Sequence, residues 1–304
     1  PTMRVNFEGE LPQGVTAKDV MLALISRYGA TGGSGYAIEY AGGPIRAMGM
    51  DGRMTLCNLS IEFGAKWGLI AVDETTIAFA ASRPYSATGA MLGKAVEDWR
   101  TLKSDDGAVF DREITLDVSG LVPQVSWGTS PEHTVDITAN TPELSATGNE
   151  SVKDWESAYE YMGLAPGTPI SGVPVDHVFI GSCTNSRLDD LRAAAAIARG
   201  RTVAPNVVAW VVPGSRRTQR EAVAEGLDKV FRDAGFQWRE PGCSMCAGTN
   251  GDMLRPGQRC LSTSNRNFVG RQGEGVRTHL ASPATAAATA IAGVIADPRQ
   301  YSPL

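Results

Sequence analysis

Alternating apolar and polar side chains over residues 4–8 predict a strand near the start of the chain. Thr16-Ala-Lys-Asp19 reads as a capping-box-like helix start, with Asp where Glu or Gln is usual, and it opens an apolar run over 20–27. Gly29, Gly32, Gly33 and Gly35 predict a turn, followed by a strand at 36–40. Residues 52–66 read as a helix carrying Cys57, Asn58 and Glu62; Asn58 and Glu62 are four apart, so they would share one face. A short strand at 68–72 and a helix at 90–102 follow. From about 104 to 172 the pattern weakens, with a polar, turn-rich stretch at 139–150 and a short helix at 151–162.

The second half is more regular. Strands are predicted at 175–180, 206–212, 236–238 and about 260–263. Helices run to about 198, then as one long element to 234, and a last helix has Ser282 as its cap and Pro283 at its first position. Strands alternating with helices predict an α/β chain with a parallel, doubly wound sheet. Three segments are expected: 1–115 as one α/β subdomain carrying Asn58 and Glu62, 116–172 as a connection, and 173–304 as a second α/β subdomain. Ligands of such sheets sit beyond the carboxyl ends of the strands. Here those ends carry Cys183, Pro213-Gly-Ser215, Cys243-Ser-Met-Cys246 and Asn265-Arg-Asn267. The Gly29–Gly35 run follows a helix, precedes a strand and lacks a Gly-Lys-Ser/Thr ending, so it reads as a turn and not a phosphate loop.

Composition narrows the function. The 304 residues are 42% apolar and 20% charged, enough for a real core in about two domains. A net charge of -5 argues against nucleic acid or an anionic membrane as the main partner. No apolar run approaches the ~20 residues of a membrane helix, and no apolar signal-peptide core is present. Five cysteines at uneven spacing make a poor disulfide framework. A cytoplasmic protein with reduced thiols is expected. Cys243 and Cys246 form one chelating pair, and Cys183 stands at another strand end of the same sheet. Three chemistries suit this set. Structural zinc wants four ligands, and none of Cys57, Cys260, His133, His177 and His279 supplies a second pair. A redox pair would not need Cys183. An iron–sulfur cluster with one iron lacking a thiolate uses all three.

Gly-Ser-Cys-Thr-Asn-Ser at 181–186, Gly-Cys-Ser-Met-Cys at 242–246 and Ser-Asn-Arg-Asn-Phe-Val-Gly-Arg at 264–271 resemble signature segments of the aconitase superfamily. Met-Thr-Leu-Cys-Asn-Leu-Ser-Ile-Glu at 54–62 resembles a fourth. Within the superfamily the chain is similar to the large subunits of 3-isopropylmalate dehydratases (isopropylmalate isomerases), with supporting stretches at 14–19, 123–128, 225–229 and 270–273. The resemblance implies an aconitase-type iron–sulfur domain built of three-layer α/β/α doubly wound subdomains. It also implies a 4Fe-4S cluster on Cys183, Cys243 and Cys246. Glu62 and Arg271 would be catalytic, with Asn58, Asn185, Asn265, Arg266 and Arg271 binding a small hydroxy-dicarboxylate. Without the resemblance, these would read as a helix-face Glu, surface Arg residues and cap or turn Asn residues. A leading segment with Asp-His and Asp-Ser-His-Thr motifs is not among the 304 residues, and the family's serine base lies on a separate small, swivel-domain subunit. The expectation is therefore the cluster-bearing portion of a longer, two-subunit hydro-lyase of leucine biosynthesis, inactive by itself, with no nucleic-acid or membrane partner. The alternatives are a homoaconitase or a methylmalate (citramalate-type) dehydratase subunit and, from another class, a non-catalytic metal-bound scaffold.

Overall fold

The computed structural model describes residues 1–146, 152–248 and 250–301. In chain order these form β1 (Thr2–Glu8), α1 (Ala17–Tyr28), β2 (Ala37–Gly42), α2 (Gly43–Ala47), α3 (Met50–Leu59) and β3 (Trp67–Leu69). Next come α4 (Glu74–Ala81), α5 (Gly89–Trp99), β4 (Arg112–Asp117), β5 (Gln124–Ser126), β6 (Thr134–Asp136) and α6 (Val152–Met162). The remainder is β7 (His177–Ile180), α7 (Leu188–Ala198), β8 (Val208–Val211), α8 (Arg216–Ala224), α9 (Leu227–Asp233), β9 (Gln237–Trp238), β10 (Arg259–Ser262), β11 (Arg277–Leu280) and α10 (Pro283–Ala292). The α/β class follows. Part of the expected loop, residues 147–150, lies outside the described residues, as does Ser151 at the expected start of the following helix.

The chain packs as two units, 1–11 with 31–120 and 12–30 with 121–304. In the first, β1 lies between β2 and β4, with β3 at the edge, and every pairing is parallel. Met3, Val5 and Phe7 alternate into its core, which is why a five-residue pattern was enough to place β1. Gly42 at the end of β2 has φ 112°, and a Cβ there would stand 1.9 Å from Phe7 O, so only glycine fits.

The second unit holds a five-stranded parallel sheet ordered β11-β10-β7-β8-β9. Val178, Ile180 and Leu261 share one core with residues of α7 and α10, and those two helices pack on each other. Phe179, Cys260 and Val212 instead meet Met245, Leu254 and Val276, so irregular chain after β9 and β10 covers that cluster. Helix α1 belongs to this unit although it lies between β1 and β2 in sequence. It packs on β5 and β6, and Gln124 N donates to Asp19 Oδ1 at 2.8 Å and Ser26 Oγ to Thr134 O at 2.8 Å. The expected boundaries at 115 and 172 therefore do not follow the packing: residues 12–30 leave the first segment, and 121–172 join the second unit. The long helix expected up to 234 is two, because Gly226 at φ 72° is left-handed and breaks it.

His279 in β11 is buried and its tautomer is set by its neighbours. Its Nδ1–H donates to Ser126 O at 2.6 Å, and its Nε2 accepts from Arg259 Nη1 at 2.8 Å. Burial, and secondarily the Arg259 cation, push its pKa from 6.5 down to about 3. Asp19, also buried, is pushed the other way by burial, from 3.8 up to about 6. The two oppose each other in acid. A depressed histidine contributes stability above pH 6.5 that is lost as pH falls towards 3; a raised aspartate contributes stability below 3.8 that is lost as pH rises through 6. His279→Gln removes only the first effect. The difference in unfolding free energy between wild type and this variant should shrink by about 1.4 kcal/mol per pH unit from pH 6 to 4. Urea midpoints at three pH values measure it, and parallel pH profiles would refute the assignment.

Candidate functional site

Because the strands of the second unit's five-stranded sheet all run parallel, their carboxyl ends share one rim. The chain leaves β7 towards β8 and β9 on one side, and returns to β10 and β11 on the other. The switch point, where ligand crevices form in such sheets, therefore lies between β7 and β10. The segments that follow these two strands are 181–186 and 263–267, two of the stretches singled out above. They are stitched together. Thr263 Oγ1 accepts from Gly181 N at 2.9 Å and donates to Gly181 O at 2.7 Å. Thr184 Oγ1 donates to Asn265 Oδ1 and lies 2.9 Å from Ser182 Oγ.

The Cys243–Cys246 turn follows the edge strand β9 but folds back over the sheet. Met245 packs with Phe179, Val212 and Cys260, and Gln272 Nε2 donates to Met245 O and to Ser262 Oγ, each at 3.3 Å. Residues 244–246 form a single 3₁₀ turn in which Cys246 N bonds Cys243 O at 2.9 Å.

Among the described residues only Ser182 (φ 80°) and Ser244 (φ 45°) combine a side chain with positive φ. One precedes Cys183 and the other follows Cys243. Backbone held there costs of order 1–3 kcal/mol and persists only where neighbours enforce it. For Ser244 the enforcement is visible. Its Oγ donates to Asp252 Oδ2 at 2.7 Å, Arg239 Nη2 holds Asp252 Oδ1 at 2.9 Å, and the Arg239 guanidinium lies 3.8 Å over the Trp210 ring. At the other loop, a Cβ on Gly181 would stand 2.2 Å from Cζ of the buried Phe179 ring. Gly181→Ala should cost ~1–3 kcal/mol through overpacking, read as a lowered denaturation midpoint; an unchanged midpoint would show that the ring can move aside.

All five cysteines are free thiols; Cys183 and Cys243 are exposed, Cys246 is half-buried and Cys260 is buried. Burial raises the Cys260 thiol pKa, so it stays protonated, as a core thiol should. Three soft donors on loops of one sheet suit a thiolate-bound centre in kind. Among the described residues no three His, Cys, Asp or Glu side chains stand together as a ready metal cage. Asn185 is buried at 1% exposure and lies two residues before the Arg187 cap of α7, so it does not cap that helix. Asn265 and Arg271 are half-buried and Arg266 is exposed. Arg271 sits with its guanidinium 5.2 Å from the Phe268 ring centroid, and its buried Nε has no partner among the described residues.

Asn58 and Glu62 lie in the first unit. Helix α3 ends at Leu59, not at 66, and Glu62 stands in the following turn, where Phe63 N still bonds Leu59 O at 3.2 Å. Ser60 N bonding back to Cys57 O tightens the exit, and Gly64 at φ 86° completes it. Phe63 O then accepts from Gly33 N just ahead of β2, which puts this turn at the amino-terminal edge of that sheet.

Three residues of the second unit's rim have a role that the sequence reading did not assign. Asn267, 2% exposed, donates from Nδ2 to Gly128 O at 2.6 Å and to Ser126 Oγ at 3.1 Å. Gln272 holds Met245, as above. Lys18, 1% exposed, donates to Thr263 O at 2.9 Å and Ser264 O at 2.5 Å. Asn267 and Gln272 lie inside the quoted motif stretches, a signal that was available. For Lys18 the only hint was a lysine on the apolar side of a helix start.

Comparison with known proteins gives the family. The chain is 61% identical over 299 residues to the 3-isopropylmalate dehydratase large subunit 1 of Bradyrhizobium diazoefficiens; the match covers 98% of this chain and 63% of that relative. The chain thus spans under two thirds of that protein's length. Among solved structures, Thermococcus kodakaraensis aconitase X in its holo-form aligns at a TM-score of 0.46 and 11% identity, over 91% of this chain and 52% of the other, too distant to bear on function. Residues 1–293 match the aconitase family (aconitate hydratase), and the chain belongs to that family.

Proposed function

We propose that this chain is the cluster-bearing portion of a 3-isopropylmalate dehydratase, which interconverts 2-isopropylmalate and 3-isopropylmalate by losing and re-adding water. The observation that supports the reading is that the motif segments 181–186, 242–246 and 264–271 each follow a strand of one parallel sheet, β7, β9 and β10, and together carry the free thiols Cys183, Cys243 and Cys246. Those thiolates would hold a 4Fe-4S cluster. When bound, the cluster supplies a Lewis-acidic iron that stabilises the charge developing on a departing hydroxyl.

The chain's own residues supply binding and proton handling. Arg266 and Arg271 offer forked donors for the two carboxylates of the substrate. Asn185 and Asn265 offer neutral amide contacts beside the cysteines. Glu62, with Asn58, is assigned the substrate hydroxyl, where a carboxylate can hold or pass its proton. A small, swivel-domain subunit completes the site and brings the serine base. No helix among the described residues is long and apolar enough to cross a membrane, and a cytoplasmic setting suits thiols that must stay reduced.

The test is anaerobic loading of the purified chain with iron and sulfide, followed by assays with and without the small subunit and the family's leading segment. About four irons and four sulfides per chain are expected, with isopropylmalate turned over only by the completed assembly. Preferential turnover of homocitrate or citramalate would move the chain to a sister enzyme. Zinc without sulfide, and no turnover by the assembly, would leave a metal-bound scaffold. Turnover by the chain alone would overturn the division of labour.

A further inference from the structure

We propose that Lys18 is a positioning residue for the cluster rim: its buried ammonium pins the bend after β10 and, through Thr263 and Asn265, sets the Cys183 loop. The proposal deepens the reading of the rim given above and rests on it for its consequence, not for its geometry.

The argument starts from cost. Removing an ammonium from water is penalised by several kcal/mol even after relaxation. Lys18 is 1% exposed. The Asp19 carboxylate beside it feels its charge and also accepts from Gln124 N and Thr16 N at 2.8 Å each. A methionine would fill much of the same volume without the penalty. Packing alone therefore does not account for a cation here.

What the ammonium does is specific. It bonds the carbonyls of two consecutive residues, Thr263 and Ser264. In a strand, successive carbonyls point to opposite sides, so both can reach one Nζ only where the chain has bent. Lys18 thus holds the chain at the point where it leaves β10. The same Thr263 clamps Gly181 by both N and O, and Asn265, two residues on, accepts from Thr184. Cys183 lies between Gly181 and Thr184. One ammonium, delivered by a helix from a distant part of the sequence, therefore fixes both sides of the switch point.

The test compares wild type, Lys18→Met and Lys18→Gln, the last keeping two N–H donors without the charge. Hydrogen exchange on the metal-free chain reads the positioning directly. In Lys18→Met, amides of 181–186 and 263–267 should exchange about tenfold faster, as for ~1.4 kcal/mol of lost local protection, while amides of α10 keep their rates. Titration with Co²⁺, a probe for thiolate ligands, reads the consequence. The thiolate-to-cobalt absorption of Lys18→Met should fall by roughly a third, one donor of three, with Lys18→Gln intermediate in both measurements. Unchanged exchange in the two loops overturns the proposal. Equal acceleration in α10 with both variants also overturns it, because Lys18 would then serve the fold at large. A wild type with no thiolate band sinks the cluster reading instead, and the exchange data alone then decide the role of Lys18.

Discussion

Serine at position 183, 243 or 246 should abolish retention of iron and sulfide by the chain, whereas serine at 57 or 260 should not. The expected loss is larger than the ~10–100-fold that follows removal of a hydrogen-bond partner behind a metal ligand, because a donor itself is gone. The physical distinction among the five thiols is their setting. Cys183 and Cys243 are exposed and Cys246 half-buried, all on loops at the carboxyl rim of the second unit's sheet. Cys260 lies within β10 in the apolar cluster with Phe179 and Met245, where burial keeps it protonated and unreactive. Cys57 is on α3 of the first unit. Iron and acid-labile sulfide per chain, with the visible absorption of the loaded protein, measure the series. Cys183→Ser separates the cluster from its rivals: a redox pair or a two-thiol zinc site survives it and a three-thiolate cluster does not. Retention in Cys183→Ser, or loss in Cys260→Ser, would break the assignment.

The strands of this fold were legible because their periodicity is set by burial. Residues 4–8 alternate since Met3, Val5 and Phe7 face a core, and the runs at 175–180 and 206–212 are apolar because β7 and β8 lie inside a parallel sheet covered on both faces. The chemistry at the strand ends was legible for the related reason that polar, cysteine-bearing motifs directly after buried strands have few packing explanations. Tertiary choices were less visible. Nothing local says that α1 leaves its neighbours in sequence to pack on β5 and β6, and so nothing announces Lys18. β11 was missed because Arg277-Thr-His-Leu280 looks polar, although Thr278 and His279 are buried by hydrogen bonds to Gln272 and Ser126 and not by apolar contact. The helix expected to reach 66 stops early for a different reason: periodicity continues past Leu59, but Ser60 and Gly64 end the helix through backbone bonds that a hydrophobic pattern does not report.

Arg271→Lys should lower kcat/KM of the completed assembly for a hydroxy-dicarboxylate by about 100-fold, or ~2.8 kcal/mol at 1.4 kcal/mol per tenfold, while leaving the iron content intact. The charge survives this substitution, so the loss isolates geometry. A guanidinium presents a planar fork that meets a carboxylate with two parallel bonds; an ammonium is a point charge on a flexible stem. Arg271 is placed to use that fork. It is half-buried, its plane is backed by Phe268, and its Nε is shielded from solvent without a partner among the described residues. A buried N–H left in this state costs about 1–3 kcal/mol until an acceptor arrives, which favours an anionic ligand over water. Arg266, exposed on the same segment, is screened by solvent, so Arg266→Lys should cost less, near the ~1 kcal/mol of an exposed pair. The ordering is the informative result. If both lysine variants lose activity equally, shielding of the fork is not what distinguishes the two arginines; if neither does, the substrate carboxylates are held elsewhere, and the assignment of this segment to the substrate fails even with the cluster in place.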